Sequence, residues 1–299
     1  MHLRATLACL AVLVSPWCPA ARAAENPAPT KIVLIAGSVS HGAGEHEFKA
    51  GCSLLASKLN TLPGLRADVH FNGWPTEASA FDGASAVFIY CDGGDGHPAI
   101  RPERLKILAD LMAKGVGLGT CHYGVEVPKG DPGDAWLRWT GGYFETFWSV
   151  NPHWDADILK LPEHPITRGV KPFKIRDEWY YHMRFPEGMK GVTPLLSALP
   201  PKETLERPNG PHSGNPHVRA AVERGEAQHL MWCTERPDGG RGFGFTGGHF
   251  HRNWAQDDFR KVVLNGLLWI AKREVPAGGV VSTVSADELK LNLDAKPAR

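Results

Sequence analysis

The sequence predicts an α/β fold built on a mostly parallel, doubly wound sheet flanked by helices. Three observations carry this. Strand-like and helix-like segments alternate along the first 120 residues, which implies βαβ units with right-handed crossovers. The first strand, Lys31 to Ala36, is apolar throughout after its opening lysine, as in a parallel strand covered on both faces. The strands also break off into short loops rich in glycine and histidine, where such sheets bind ligands.

The chain of 299 residues suffices for one large domain. Residues 1–23 read as a signal peptide: Arg4, an apolar run from Ala5 to Val14, then Ala21-Arg22-Ala23 as a small-x-small cleavage signal. The run is too short for a stable membrane anchor. Export to the periplasm or outside the cell is expected, with no integral membrane segment after cleavage. Cleavage would remove Cys9 and Cys18, leaving Cys52, Cys91, Cys121 and Cys233. None of the four forms a CxxC pair, so buried free thiols are expected rather than a zinc–thiolate site. A formal net charge of +1, without a Lys/Arg block, argues against nucleic acid as a partner.

A lead-in over 24–30 precedes the domain, 31–273. Its first strand ends in the loop Gly37 to Gly44, which carries His41. Glu45 to Leu59 reads as a helix, with Phe48, Cys52, Leu55 and Leu59 at helical spacing. Ala67–Phe71 and Ala86–Tyr90 are the next strands. Pro102 to Lys114 is a helix stopped by Gly115. The strand that follows runs into Cys121-His122-Tyr123-Gly124, an elbow with a reactive side chain at its tip. From Asp131 to Leu161 the chain is aromatic-rich. Core packing accounts for most of those rings, with Asp155–Leu161 strand-like. Pro200–Pro216 is a long surface loop. His229–Thr234 and Gly242–Thr246 are late strands. Asp257–Lys272 is a closing helix, apolar at Phe259, Val262, Val263, Leu267, Leu268 and Ile270. Residues 274–299 form a tail, with a short helix within Ser285–Leu293.

Histidines that follow strands are the main functional clue. His41, His122, His249 and His251 stand where parallel strands converge, and imidazole serves as acid, base or metal ligand near neutral pH. His249-x-His251 puts two imidazoles on one side of an extended segment, a spacing that suits a divalent zinc or manganese ion with His122 or Glu178 completing the set. Glu178, among Tyr180, Tyr181 and Trp179, is a second candidate acid or base. Trp254, directly after the histidine pair, is a candidate to stack on a sugar ring. A Cys–His nucleophile is disfavoured. In Thr120-Cys121-His122-Tyr123-Gly124 the nucleophile slot of a Gly-x-Cys-x-Gly elbow holds His122, and Cys121 falls one position early.

The stretches KIVLIAGSVSHGAGEHEF, GVGLGTCHYGVE, HPITRGVKPFKIRDEWYY and GFGFTGGHFHRNWAQDDFRKVVLNGLLWIA resemble the ThuA-like (trehalose utilisation) family over about residues 31 to 273. The family's Gly-Ile-His-Ala elbow matches at His122. Its late Gly-His and Trp match Gly248-His249 and Trp254, and its Asp-Glu-x-Tyr matches Asp177-Glu178-Trp179-Tyr180. The family has Asp after the late Gly-His where this chain has Phe250-His251, which leaves open whether His249 or His251 faces the site. The resemblance implies a class I glutamine amidotransferase-like (flavodoxin-like) three-layer sandwich and a small-molecule carbohydrate as partner, a 3-keto-glycoside in particular. On that reading His122, His249 and Glu178 do acid–base chemistry, while His41, Tyr123, Tyr180, His251 and Trp254 bind substrate. His122, His249 and His251 are the metal candidates. The products would be those of elimination, hydration or isomerisation. A non-catalytic carbohydrate-binding protein and a metal-dependent hydrolase are the rivals, and a homo-oligomer stays open.

Overall fold

The computed structural model describes residues 28–296. The expected signal peptide lies outside them. Seven strands form the main sheet, in the order β2 (Leu65–His70), β1 (Thr30–Ala36), β3 (Ala84–Tyr90), β4 (Gly117–Cys121), β9 (Arg241–Phe245), β8 (Gln228–Glu235) and β7 (Val192–Ala198). The first five run parallel. The last two are antiparallel additions. A separate antiparallel pair, β5 (Trp154–Ile158) with β6 (Phe173–Asp177), stands beside it.

Alternate residues of the central strands feed opposite faces, as the two-residue period of a strand requires. Ile32, Leu34 and Phe88 pack under α1 (Phe48–Leu59) and α5 (Asp257–Ile270). Val33, Ile35 and Val87 pack under α2 (Pro102–Met112) and α3 (Asp131–Trp139). The result is the expected three-layer α/β sandwich. Gly117 shows how tightly α5 seats on it: a Cβ there would lie 2.2 Å from the Ile270 carbonyl oxygen.

Three helices differ from the expectation, and strands β6 and β7 form where no strand is expected. Helix α1 starts at Phe48, not Glu45, because His46 sits at φ 46, in the left-handed region. Helix α3 forms inside the aromatic-rich segment, opened by Gly130 (φ 98) and Pro132, and buries Trp136 and Trp139. Helix α4 (Pro216–Glu223) closes the Pro/Gly-rich loop, with the Asn215 side chain accepting from the His217 and Val218 amides as its N-cap. The tail is docked: Val275 and Val280 are buried in the main core, and a short 3₁₀ turn spans Glu288–Lys290. The four cysteines among the described residues, Cys52, Cys91, Cys121 and Cys233, are buried and unpaired. No described helix is long and apolar enough to cross a membrane.

Candidate functional site

At the carboxyl ends of β1, β4, β6 and β9 four side chains turn toward one point. Their nearest ligand atoms all lie within 4.8 Å of one another: His46, His122, Glu178 and His249. Each arrives by a backbone device. His122 is the first residue after β4, at φ 50, a costly angle for a residue with a Cβ. Strand-to-turn reversal at that residue throws its ring inward and leaves Cys121 pointing into the core. The Cys121 thiol donates to the Gly247 carbonyl at 3.5 Å, and burial pushes its pKa far up, so it is no nucleophile.

His249 is placed by Asp177. That buried carboxylate accepts from the Gly248 amide at 2.9 Å, the His249 amide at 3.0 Å and the Asn253 side chain at 2.9 Å. Gly248 makes the turn at φ 117, an angle that favours glycine. The adjacent Asp177 and Glu178 thus divide the work, the first building the loop and the second entering the cluster. His46 enters from the first loop, with its amide donating to the His249 carbonyl at 3.0 Å.

Acceptors beside the ring nitrogens of His122 and His46 favour one tautomer of each. His122 Nδ1 lies 3.0 Å from the Thr246 carbonyl oxygen, which can only accept, so Nδ1 bears the hydrogen. His46 Nδ1 lies 3.2 Å from the Asp92 carboxylate, with the same consequence. The two Nε2 atoms therefore both point lone pairs inward, and they are 3.0 Å apart. His249 Nδ1 is 3.0 Å from His46 Nε2 and 3.1 Å from Glu178 Oε2, while His122 Nε2 is 3.5 Å from that same oxygen. Bare lone pairs at such separations repel unless a cation lies between them. A proton on His46 is opposed first by burial and then by His122, His41 and His249, which together drive its pKa far down. Burial pushes Glu178 up, but the approach of His122 and His249 outweighs it and holds the carboxyl well below its ordinary range. Three imidazoles and one carboxylate, with oriented outer partners in Thr246 and Asp92, are a donor set that fits zinc or manganese.

The other candidate residues separate into two groups. His41, Tyr123 and Tyr180 surround the cluster. His41 stacks on His46 at 3.6 Å between ring centroids, and its ring is about a third exposed. Tyr123 is half-buried and stands edge-on to His46 at 5.9 Å. The Tyr180 hydroxyl is 3.3 Å from His122 Nε2. His251 and Trp254 do not join them. His251 Nε2 donates to the Leu289 carbonyl of the tail at 3.0 Å, outside the ligand group, so His249 alone of that pair faces the site. The short 3₁₀ turn over His251–Ala255 removes the alternation that would have put both rings on one side. Trp254 is fully buried, packed between Tyr90 and Phe259, and cannot stack on a ligand.

Sequence reasoning missed His46, Asp92 and His153. His46 was absorbed into the helical periodicity of α1. Its signal was a second histidine five residues after His41 in the same loop. The His153 Nε2 stands 3.7 Å from Glu178 Oε1, and its ring is 4.9 Å from that of His249. A cavity of about 690 Å³ opens there, lined in part by Asn151, His153, Arg176, Glu178 and Arg207. Asn151 donates to Glu178 Oε1 at 3.2 Å, fixing the carboxylate from the cavity side.

A family model described as trehalose utilisation (ThuA) matches residues 80–270. Among solved structures, a ThuA-like protein from Bacteroides uniformis ATCC 8492 superposes with a TM-score of 0.59 at 17% identity, covering 84% of this chain and 96% of that one. A second ThuA-like protein, from Parabacteroides merdae ATCC 43184, gives 0.54 at 16%, with 87% and 94% covered. At these identities the likeness concerns the fold. No curated protein matches.

Proposed function

Since the chain belongs to the ThuA, or trehalose utilisation, family, we propose that it is an exported, metal-assisted enzyme acting on a sugar ketone of the 3-keto-glycoside class. The observation that carries the metal is the convergence of His46, His122, His249 and Glu178, whose ligand atoms all lie within 4.8 Å of one another. His46, His122, His249 and Glu178 would hold the ion. A bound divalent ion supplies Lewis acidity, polarising the ketone and acidifying the neighbouring C–H.

The protein's own groups have the remaining tasks. As ligands, His122, His249 and Glu178 are no longer free to carry protons, so the acid–base roles first expected of them pass to groups around the cluster. His153 lines the cavity beside Glu178 and His249 and is placed to accept the C–H proton. His41, Tyr123 and Tyr180 line the cluster as hydrogen-bonding partners for sugar hydroxyls. Four protein groups would hold the ion, so a substrate oxygen would need a further coordination position. That favours manganese, which accepts six, over zinc, which mostly stays at four.

The test is metal content of the purified mature protein, followed by turnover of a methyl 3-keto-glucoside. One equivalent of metal in wild type is expected, lost in His46→Ala and His122→Ala and kept in His251→Ala. Chelation should abolish turnover, and manganese should restore it. A metal-free wild type, or equal loss in His251→Ala, would refute the assignment.

A further inference from the structure

Beside the metal-ligand cluster stands a second pair of ionisable groups. Glu126 lies four residues past His122, just beyond the elbow turn, with its side chain only 4% exposed. Its Oε1 is 2.9 Å from His212 Nε2 and accepts from the Thr146 hydroxyl at 3.4 Å. His212 comes from the Pro/Gly-rich loop before α4. Backbone bonds pin that loop: the Asn151 amide donates to the His212 carbonyl at 3.0 Å, and the Phe147 amide to the Pro211 carbonyl at 2.8 Å. Asn151 is the residue that also holds Glu178. The His212 ring stacks on Phe144, with centroids 5.4 Å apart and 25° between planes. Phe144 abuts Tyr180 at 5.3 Å, and Tyr180 touches His122. From the other side, a Cβ on Gly94 would meet both Glu126 Oε1, at 3.5 Å, and the Tyr123 hydroxyl, at 3.9 Å. The pair thus sits one aromatic layer from the cluster, where Tyr123 and Tyr180 line it.

A carboxylate can only accept, so His212 Nε2 carries its hydrogen toward Glu126 and Nδ1 is left to give or take a proton. We propose that His212, held by Glu126, is the catalytic acid that protonates the departing oxygen of the substrate. This rests on the keto-glycoside reading above. The base removes the proton from the carbon next to the ketone, and that electron pair becomes a carbon–carbon double bond. The C–O bond breaks with its pair on oxygen, and the Nδ1 proton goes to that oxygen. Imidazole then regains a proton from water. The charged groups facing His212 are Glu126 and Glu178, which raise its pKa, and Arg207, which lowers it. Burial also lowers it, and the net direction is upward, toward the acid form. Tyr123 and Tyr180 face the pair as phenols kept neutral by burial.

Leaving groups decide the matter. Methoxide needs a proton to depart, whereas 4-nitrophenoxide does not. The full mature chain, loaded with manganese, is assayed on methyl and 4-nitrophenyl 3-keto-glucosides. In His212→Gln, kcat on the methyl substrate should fall on the order of 100- to 1,000-fold, the range of a lost general acid, and on the nitrophenyl substrate by less than about tenfold. KM and metal content should hold. In Glu126→Gln the alkaline limb of the methyl pH profile should move to lower pH. Equal losses on both substrates would make His212 a structural residue, and no loss on either would dismiss it. A wild type that turns over neither substrate would instead overturn the keto-glycoside reading, and the acid role with it.

Discussion

Asp177 does the most work per atom of any residue behind the site. Its two oxygens take three donors from the Gly248–Asn253 loop, all within 3.0 Å. Asp177→Asn replaces one acceptor by an NH₂ that faces an N–H donor. The expected cost is about 1–3 kcal/mol of stability for donors left unsatisfied. Metal affinity should fall about 10- to 100-fold, as for other outer supports of a ligand. Denaturant unfolding and a chelator competition measure the two, and unchanged metal affinity would contradict the placement of His249 by this loop. His97 bears a pH prediction. It is buried, with Nε2 donating to the Gly124 carbonyl at 3.3 Å and Nδ1 accepting from the Ala99 amide at 3.1 Å. Burial lowers its pKa to about 3. The folded value lies below that of the unfolded chain, so the unfolded state takes the proton first as pH falls. The stability is fully present above pH about 6.5 and drains at up to about 1.4 kcal/mol per pH unit down to about 3. His97→Gln should remove about 2 kcal/mol of the loss between pH 7.5 and 5.0 in urea unfolding, whereas identical pH slopes would place the charge elsewhere.

At the scale of elements, β4 and α5 set how close the sheet and its covering helix can come. Gly117→Ala would drive a methyl group into the Ile270 backbone. Backbone cannot swing aside like a side chain, so about 1–3 kcal/mol should be lost, read as a lower Tm. A Tm within a degree of wild type would mean that α5 slides freely over β4. This scale is also where the sequence was most legible. The parallel strands are apolar runs or small-residue runs flanked by turn residues, and β1, β3, β4 and β9 stand within two residues of where their pattern places them. Helix α5 carries an unbroken apolar stripe and was equally clear. The elbow was legible because only one residue can occupy the tip of a strand-to-helix turn, and His122 held that frame. Helix α3 is amphipathic, with Asp131, Asp134 and Arg138 on one face and Ala135, Trp136 and Trp139 on the other, but at nine residues, with Pro132 and Gly133 in its first turn, it is short enough to be lost among the surrounding aromatics. His46 was hidden for a related reason. Periodicity extends a helix backward through any residue that keeps the count, and it carries no information about a left-handed φ at the residue before the cap. The His249/His251 ambiguity likewise could not be broken by spacing, because the 3₁₀ turn that separates them depends on Asp177, more than 70 residues away in the chain.

Taken as a whole, the molecule closes its site from behind with its own tail. The Lys296 side chain is fully buried. Its Nζ lies 3.3 Å from Glu47 Oε1, donates to the His46 carbonyl at 3.1 Å and also donates to the Glu45 carbonyl. The Asp294 amide donates to the other Glu47 oxygen at 2.9 Å. Leu289 holds His251, and Lys58 pairs with Glu288 on the same strap. The segment that carries His46 in its left-handed conformation is therefore gripped on one side by the cluster and on the other by the tail. Removing one member of a buried ion pair costs about 3–5 kcal/mol, because the survivor is left without its partner. Lys296→Met leaves Glu47 in that state, and the segment can recover only by letting the tail go. Coupling of this kind is reciprocal: if the docked tail tightens the metal, bound metal must tighten the tail by the same factor. Lys296→Met is expected to weaken metal binding by about tenfold, a coupling of about 1.4 kcal/mol, within the usual range. In wild type, metal should slow proteolytic cleavage between Ser285 and Lys296 by a similar factor. Lys296→Arg keeps the charge and should recover part of both. Weakened metal binding without metal-dependent protection of the tail would break the reciprocity, and Lys296 would then be a stabilising residue with no link to the site.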